Sequence, residues 1–586
     1  MKIFTVFKTH FDIGFTELSS EVVRRYGTTM LEDVLKTCEG TQKFGERLCY
    51  KWTMASWPLL KTLEGASPEN RARAEALIER GQLLWHALPF TTHTECCGVE
   101  DFVRGFDFAR ELCARYGKPF PISAKMTDVP GHTRFLVSAL AGAGVRFLHL
   151  GCNPASTPPK VPLLFWWEHS DGSRVLTFYN STYGSSVLPP KDWPYPVWLN
   201  MNQTNDNIGP QGPEVIEELL RETEAAGCEL TVGSMDDFFL ALLPHLGEEV
   251  PGVRAELSDT WIHGVGSYPA EVGELRRWRE RLRAAEKRCA RAKVWDGELE
   301  ALSREADEAA LLFCEHTWGM DFKTHLGSPR HYEKQAFLAE REEPRAKKLE
   351  ASWREQRERA ALVREKTDRM EKILEGKGLP FSARRQPEGK EFTLKADKAG
   401  RIRISREGRH LLTLGSARYT VGGLEDLTRF ERAYLRRLPV WAIYDFGRMD
   451  YPECETEVFE PLSAEVEKMP DGLRVIHRYD RRAAEAFGWT ERTVTTVQDL
   501  GGRLRVVWEA EVCATPYVES ASLRMTPASP GILLNKTGSL IRPEEIAENA
   551  NHVANCLERF VDCNEGTLAV LTRDAPLLSQ GEELLF

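Results

Sequence analysis

The chain has 586 residues, of which 42% are hydrophobic and 28% charged, a composition typical of a globular protein with about two to four domains. Its 77 basic and 88 acidic residues give a formal net charge of −11, which argues against a nucleic-acid partner because such partners select a basic face. No apolar stretch is long enough to cross a membrane or to act as a signal peptide, and the thirteen scattered cysteines predict reduced thiols in a cytoplasmic protein.

Up to about residue 255, short β-like runs alternate with amphipathic helical stretches. The runs predict strands over residues 2–7, 48–53, 83–88, 123–127 and 147–150. Helical periodicity covers residues 68–80 and 103–116. This alternation predicts a parallel sheet covered by helices, a class of fold in which active sites gather at the carboxyl ends of the strands.

The middle of the chain is rich in Arg, Glu, Ala and Leu. Helical periodicity over residues 271–293 and 336–373 predicts a helical bundle whose charged faces are solvated. Residues 377–380 and 383–387 have the Gly and Pro content of a linker.

The last third turns to a β pattern. Runs at residues 391–396 and 401–405 flank a hairpin turn, and runs at 493–498 and 504–510 flank a second one. These pairs predict an antiparallel β-sandwich. We therefore predict a multidomain α/β protein made of three parts: an α/β catalytic domain over residues 1–265, a helical bundle over 266–378 and a β-sandwich over 388–586.

The first chemically rich cluster follows the first predicted strand. On an extended segment, residues two apart point to the same side, so His10 and Asp12 could converge on one ion. Imidazole and carboxylate together suit zinc and similar divalent metals. The same pair could instead cap a turn, and the pattern alone leaves both interpretations open.

Two further clusters contain a carboxylate in a defined setting. Asp128 ends a predicted strand, and the Pro and Gly that follow it predict a tight turn that fixes its direction for metal ligation or nucleophilic attack. Asp259 lies close to Trp261 and His263, where an apolar wall would favour the protonated form of a general acid. A plain strand-to-helix turn and an N-cap aspartate are the respective structural alternatives.

The fourth cluster, Glu315-His316-Thr317, interrupts the helical pattern of the charged segment. His316 could complete a metal site from a distant part of the chain, or it could be a hydrogen-bonded histidine of the core.

These four clusters, in this order, resemble the glycoside hydrolase family 38 α-mannosidases over roughly residues 1–375. His10 to Phe15 is similar to the family's His-x-Asp-x-Gly-aromatic strand end, and Asp128 to His132 is similar to its Asp followed by a Gly-His pair. Asp259 with Gly264 and His316 match the remaining two motifs. The tract Phe165 to Ser173 is similar to aromatics leading to Asp-Gly-Ser, and residues 81–95 occupy the place of a pocket-lining strand.

The resemblance implies an α/β barrel, a helical bundle and a β-sandwich, and a function as a metal-dependent retaining α-glycosidase. It implies one zinc-like ion held by His10, Asp12, Asp128 and His316. It makes Asp128 the nucleophile of a covalent glycosyl-enzyme intermediate and Asp259 the acid/base. The substrate would be a small carbohydrate or glycan, and Phe15, Trp261 and His263 would contact it.

The sequence also departs from the family pattern. The family usually has Trp in place of Phe15, a His-His-Asp run in place of Glu315-His316-Thr317, and a small residue in place of His263. These departures put mannose itself in doubt and indicate a divergent branch. Sequence leaves open the sugar, the linkage, the identity of the divalent metal and whether the chain forms a homo-oligomer.

Two other functions compete with this one. A metal-dependent sugar deacetylase also binds a divalent ion through Asp and His at strand ends, but it needs no separate acid such as Asp259. A non-catalytic carbohydrate-binding protein would tolerate the loss of a catalytic carboxylate, whereas both Asp128 and Asp259 are present.

Overall fold

The structure is a computed structural model that describes residues 1–321, 334–381, 391–436 and 454–586, apart from positions 514, 516, 565 and 582 and the side chains of residues 263 and 334–336. The N-terminal strands are β1 Lys2–His10, β2 Trp52–Met54, β3 Leu83–Trp85, β4 Ser123–Asp128, β5 Phe147–Cys152, β6 Leu164–Glu168, β7 Arg174–Asn180, β8 Val197–Asp206, β9 Glu229–Val232 and β10 Gly252–Val253. The helices between them are α1 Ser19–Arg25, α2 Leu31–Gly40, α3 Ser56–Gly65, α4 Pro68–Glu79, α5 Val99–Arg104, α6 Phe106–Tyr116, α7 Phe135–Gly142, α8 Val215–Ala225 and α9 Met235–Leu242.

These strands form two sheets. In the first, β1 pairs in parallel with β2, β8 and β9, and β3 extends it beyond β2. The second has the order β10-β6-β7-β5-β4, in which β6 runs antiparallel to β7. The predicted α/β class is confirmed, but the strands do not join into one closed ladder. Between β3 and β4, the backbone link that the structure shows is a single hydrogen bond from the Ala87 N–H to the Ser123 carbonyl, at 3.0 Å.

Two N-terminal elements differ from the prediction. The second strand is Trp52–Met54 rather than residues 48–53, because the segment before it is a turn whose Cys49 N–H donates to the carbonyl of Gly45. The helix predicted over 103–116 is two helices, α5 and α6, which meet at Gly105. A Cβ at Gly105 would lie 2.9 Å from the carbonyl oxygen of Phe102, so a side chain there would clash.

The ends of buried strands fix the position of the site. From Ile3 to His10, every residue of β1 is buried, as expected for a parallel strand covered on both faces. The strands β1, β4 and β8 end at His10, Asp128 and Asp206. Each of these three strands therefore ends in an ionisable side chain, in the position where α/β folds carry their active sites.

The helical segment contains α10 His263–Ser267, α11 Pro269–Ala292, α12 Gly297–Phe313, α13 Lys334–Glu340 and α14 Pro344–Gly376. A small core that includes Leu282, Leu299 and Met370 joins α11, α12 and α14, which confirms the predicted helices. The helix predicted over 336–373 is interrupted before Pro344, whose ring cannot continue the preceding helix. Since α12 ends at Phe313, it delivers His316 just beyond its last turn.

The C-terminal part is antiparallel, as predicted. Its elements are β11 Phe392–Ala396, β12 Ile402–Arg406, β13 Arg409–Val421, α15 Leu424–Tyr434, β14 Glu457–Phe459, β15 Ser463–Met469, β16 Gly472–Arg478, α16 Arg481–Phe487, β17 Arg492–Asp499, β18 Leu504–Ala510, β19 Glu519–Pro527, β20 Ile532–Lys536, β21 Ser539–Ile541, β22 Asn555–Cys556, β23 Phe560–Cys563, β24 Leu568–Leu571, β25 Leu577–Gln580 and β26 Leu584–Leu585. Both predicted hairpins form, with Leu394 opposite Ile404 and Thr495 opposite Trp508.

The boundaries at 1–265, 266–378 and 388–586 stay predictions, as does the arrangement of the antiparallel sheets as a sandwich. Residues 383–387 of the predicted linker lie outside the described residues. All thirteen cysteines are free thiols. Among the described helices, none has the length and apolar character needed to cross a membrane.

Candidate metal centre and active site

The site is built around the end of β1. The Nε2 atom of His10 lies 3.0 Å from Oδ1 of Asp12, so the two side chains converge as the spacing predicts. Asn207, just after β8, brackets the backbone of Asp12: it accepts from the Asp12 N–H and donates from Nδ2 to the Asp12 carbonyl. Gly14 allows the close approach of the bundle segment, because a Cβ there would lie 3.3 Å from the carbonyl oxygen of Gly319.

Four side chains from three distant segments meet at one point. One ligand atom from each of His10, Asp12, Asp128 and His316 lies within 4.8 Å of all the others, and all four residues are buried. The Nε2 atom of His316 is 3.0 Å from Asp12 Oδ1 and 3.4 Å from Asp128 Oδ2. The structure therefore shows that a buried group of two imidazoles and two carboxylates could hold a metal ion.

The geometry within this group fits a cation better than direct hydrogen bonds. Neither the Nε2 atom of His10 nor that of His316 makes a hydrogen bond within the described part of the chain, and Oδ2 of Asp12 is also unsatisfied. A buried polar atom without a partner costs roughly 1–3 kcal/mol, so such atoms are rare unless a ligand satisfies them. Two neutral imidazoles and two carboxylates are a donor set suited to one zinc-like ion.

The protein's own charges make this group strongly coupled. Burial opposes the imidazolium form, but the charges of Asp12 and Asp128 outweigh it and raise the pKa of His10 to about 9. The pKa of His316 is raised in the same direction, with Glu315 as its largest charged partner. Against the cost of burial, the two imidazoles lower the pKa of Asp12 to about 2 and also lower that of Asp128. Two protons thus neutralise two carboxylates, a role that one divalent cation could take over.

Asp128 has an unusual backbone. Its φ of 87° lies in the left-handed region, which costs a non-glycine residue roughly 1–3 kcal/mol and is concentrated at functional sites. Its Oδ1 accepts from Asn153 Nδ2 at 2.8 Å and from the Tyr183 hydroxyl at 2.5 Å, while its Oδ2 faces the two imidazoles. The two oxygens therefore have different surroundings. Gly131 lets this turn press on the segment before Asp259, since a Cβ there would lie 2.2 Å from the carbonyl oxygen of Leu257.

His316 is held by both its backbone and its ring. Its N–H donates to the carbonyl of Thr91 at 3.2 Å, and Thr92 forms a β-bridge with Glu315. The Nδ1 atom of His316 lies 2.9 Å from Oε1 of Glu315, an ion-pair distance, although neither atom makes a hydrogen bond within the described part of the chain. The Glu315 carboxylate therefore acts on the His316 ring through its charge, which favours a ring that carries or shares positive charge.

Asp259 lies in a closed environment. Its side chain is fully buried, its Oδ1 accepts from the Trp261 N–H at 2.7 Å, and its Oδ2 is 2.6 Å from Nδ1 of His93. The other ring nitrogen of His93 is 3.2 Å from the backbone carbonyl oxygen of His316. Asp259 is thus connected to the backbone of a candidate metal ligand through one histidine, and both of its carboxylate oxygens are engaged.

Asp206 is a candidate that the sequence interpretation missed. It ends β8 directly opposite His10, and it is partly exposed. The Asn207 N–H that follows donates to the carbonyl of His10 at 2.9 Å, so the two strand ends are fixed together. Burial, reinforced by the charge of Asp12, raises the pKa of Asp206 to about 6. The signal was available, because an Asp followed by Asn-x-Gly-Pro has the same strand-end and turn pattern as Asp128.

Two of the three residues predicted to contact the sugar are described with their side chains, and both are partly exposed. Phe15 is partly exposed, has a φ of 24°, and accepts from the Asp321 N–H at 2.7 Å through its carbonyl. Trp261 is also partly exposed, and its indole N–H donates to Ser156 Oγ at 2.8 Å. The side chain of His263 lies outside the described residues. The roles of these three residues in substrate binding stay predictions.

Comparison in sequence gives little. A profile described as a domain of unknown function (DUF5054) matches residues 267–477, which is less than half of the chain. Among curated proteins, none matches this chain.

Comparison in structure gives much more. A solved α-mannosidase from Enterococcus faecalis V583 superposes with a TM-score of 0.68 and 11% identity, over 100% of this chain and 83% of that one. A solved protein from Enterococcus faecalis described as belonging to glycosyl hydrolase family 38 superposes with a TM-score of 0.63 and 9% identity, over 100% and 81% of the two chains. The resemblance predicted from the sequence is confirmed at the level of fold: the chain has the fold of the family 38 α-mannosidases.

Proposed function

We propose that this protein is a metal-dependent retaining α-glycosidase, similar in mechanism to the α-mannosidases. The observation that carries the proposal is the buried group of His10, Asp12, Asp128 and His316, which lies at strand ends in a chain with the family 38 fold. This position is where an α/β fold presents catalytic groups, and the set of ligands suits zinc.

The four side chains of the group share one task. His10, Asp12, Asp128 and His316 would hold the ion through one atom each. A divalent cation in this position supplies Lewis acidity toward the oxygens of a bound sugar. The charge of Glu315, 2.9 Å from Nδ1, would support His316 as a ligand.

We propose Asp128 as the nucleophile. Asn153 and Tyr183 donate to its Oδ1, which is thereby aimed, and its side chain keeps a small exposed fraction. Attack of this carboxylate on the anomeric carbon would form an ester bond as the glycosidic C–O bond breaks. Water would later displace the aspartate, so two inversions give net retention.

The acid/base is assigned to one of two carboxylates. Sequence favoured Asp259, which lies beside Trp261 but has both oxygens engaged and no exposed surface. Asp206 is partly exposed, adjoins His10 in register, and has a pKa raised to about 6, a value suited to protonating a leaving group and then accepting a proton from water. Strand register, partial exposure and the raised pKa therefore favour Asp206, and Asp259 stays the alternative.

The residues of the same site also distinguish between the competing functions. A sugar deacetylase would use the metal group without a second carboxylate as proton donor, whereas Asp206 offers one with a raised pKa. Mannose as the sugar is supported only by the family resemblance, and zinc as the metal is supported by that resemblance and by the set of ligands.

A substrate screen with metal control tests the proposal. Purified protein should hydrolyse at least one aryl α-glycoside, with the α-mannoside among those tried. Activity should disappear with a chelator and return with Zn²⁺, and His316→Ala should need more Zn²⁺ for the same rate. Release of acetate from N-acetylated sugars without any glycosidase activity would favour the deacetylase instead.

A further inference from the structure

A fully buried ion pair joins the C-terminal β region to the N-terminal part of the chain. Lys536 at the end of β20 and Glu95 in the loop after β3 are both inaccessible to solvent, and the Nζ–Oε2 distance is 2.5 Å. Nζ also contacts Oγ of Ser258 at 3.1 Å and Oδ1 of Asn555 at 3.0 Å, so each of its three protons has an acceptor.

The turn between β20 and β21 inserts into the N-terminal part of the chain. The Thr537 hydroxyl donates to the carbonyls of Glu95 and Cys97 at 3.3 and 3.1 Å. Gly538 has a φ of 64°, and a Cβ there would lie 2.3 Å from the ring of Phe135 in α7. The turn therefore has room for no side chain at this position and is locked against the N-terminal part.

From this ion pair, a continuous chain of hydrogen bonds leads to the metal group. The second oxygen of Glu95 accepts from the Asp259 N–H at 2.8 Å, and Asn551 donates from Nδ2 to the Asp259 carbonyl at 2.9 Å. The Asp259 carboxylate then meets Nδ1 of His93, and Nε2 of His93 meets the carbonyl oxygen of His316. Every link after Lys536 is within 3.2 Å.

The last two links have a defined polarity. A carbonyl oxygen can only accept, so Nε2 of His93 must carry hydrogen and donate to His316. The contact between Nδ1 of His93 and Asp259 then contains one proton, whichever of the two groups holds it. Both links join buried groups, which restrains His93 and, through it, the backbone of His316.

We propose that Lys536 is a positioning residue for the metal ligand His316, acting through Glu95, Asp259 and His93. The inference rests on the proposed role of His316 as a ligand. The β region thereby contributes to metal affinity although none of its described residues belongs to the metal group. It also gives Asp259 a function that does not require contact with substrate.

Metal affinity in matched variants tests this relay. Co²⁺ is the probe, because its absorption bands report ligand geometry and its dissociation constant can be measured by competition with a chelating dye. Lys536→Met should weaken Co²⁺ binding about 10-fold, in the range measured for groups that orient a metal ligand, and should shift the bands. The control is Lys160→Met, which removes another Lys–Glu pair between the same two parts of the chain, the exposed pair with Glu548. The control should match the parent within about twofold.

Because Lys536→Met leaves Glu95 buried without its cation, it could prevent folding, so His93→Phe provides a second route to the same answer. It keeps a ring in place but removes both hydrogen bonds, and it should weaken Co²⁺ binding by the same order. Parent-like affinity and spectrum in folded His93→Phe would overturn the relay. His316→Ala separates the two claims: if it binds Co²⁺ like the parent, the proposed metal site itself fails, and if it loses Co²⁺ while His93→Phe does not, only the relay fails.

Discussion

The assignment of Asp206 as acid/base makes a quantitative prediction. At pH 7 a carboxyl group with a pKa of about 6 is protonated in about 9% of molecules, against about 0.06% for the ordinary value of 3.8. Its environment thus increases the acid form roughly 140-fold. Asp206→Asn should lower kcat/KM about 10²–10⁴-fold for an aryl glycoside with a poor leaving group, the usual contribution of a general acid.

The pKa of Asp206 should stay raised when the metal binds. The pKa shifts indicate that His10 and His316 carry protons when paired with the two carboxylates, which places two positive charges in the group. A divalent cation that displaces both protons leaves the same total charge there. The raised pKa of Asp206 has burial as its largest cause, and burial is unchanged by this exchange.

The assay compares two leaving groups across pH. For the poor leaving group, kcat/KM of the parent should fall as pH rises above about 6, because the acid form of Asp206 is lost, and Asp206→Asn should abolish that limb. For an activated glycoside, the variant should still form the glycosyl-enzyme and then stall, with azide restoring turnover. If Asp206→Asn keeps the parent's activity and pH limb while Asp259→Asn loses them, the assignment returns to Asp259.

Three further predictions follow from the contacts of the site. Glu315→Gln keeps the shape of the side chain but weakens its hold on His316, so Zn²⁺ affinity should fall about 10–100-fold in a chelator competition, and an unchanged affinity would contradict the role of Glu315. Because the pKa of His10 is raised to about 9, Zn²⁺ must displace protons at neutral pH; affinity should rise with pH up to about 9, and calorimetry in several buffers should detect about two protons released per ion, whereas proton-independent binding would oppose the ligand set. A chain ending at residue 377 lacks Leu534 and Ile541, which share one hydrophobic core with Phe135 of the N-terminal part, so an apolar surface becomes exposed and we expect the fragment to be insoluble; a soluble, fully active fragment would refute this.

Elements with strong local patterns were predictable. The buried strand β1, the strand β4 and the helices α4 and α11 agree with their periodicity to within a few residues, because burial and helical spacing act over short distances. The antiparallel hairpins followed from turn residues for the same reason. The convergence of His10 and Asp12 is also a local consequence of strand geometry.

The features that the sequence does not predict are those that depend on contacts between distant parts of the chain. Strand β8 ends in the polar run Asn-Gln-Thr-Asn-Asp, which has no β-like apolar alternation, because that half of the strand is not buried in the core. Asp206 was therefore overlooked. No local pattern specifies that the strands divide into two sheets or that β6 runs antiparallel to β7.

The contacts of Asp259 were also not predictable from the sequence. Sequence placed it beside Trp261, as an acid near an apolar wall, but its partner His93 lies 166 positions earlier in the chain. The support of Glu95 by Lys536 spans 441 positions. The resemblance predicts that residues 81–95 line a pocket. Their contacts with the helical segment and the β region depend on how these parts of the chain pack together.

Trapping the covalent intermediate tests the central claim most directly. With the sugar identified by the aryl glycoside screen, the corresponding 5-fluoroglycosyl fluoride should label the Zn²⁺-loaded enzyme, because the fluorine substituent slows hydrolysis of the glycosyl-enzyme. We predict one sugar adduct per chain on the peptide that contains Asp128, and none after Asp128→Ala or treatment with a chelator. Turnover of the α-glycoside with inversion at the anomeric carbon and no adduct on Asp128 would contradict the account.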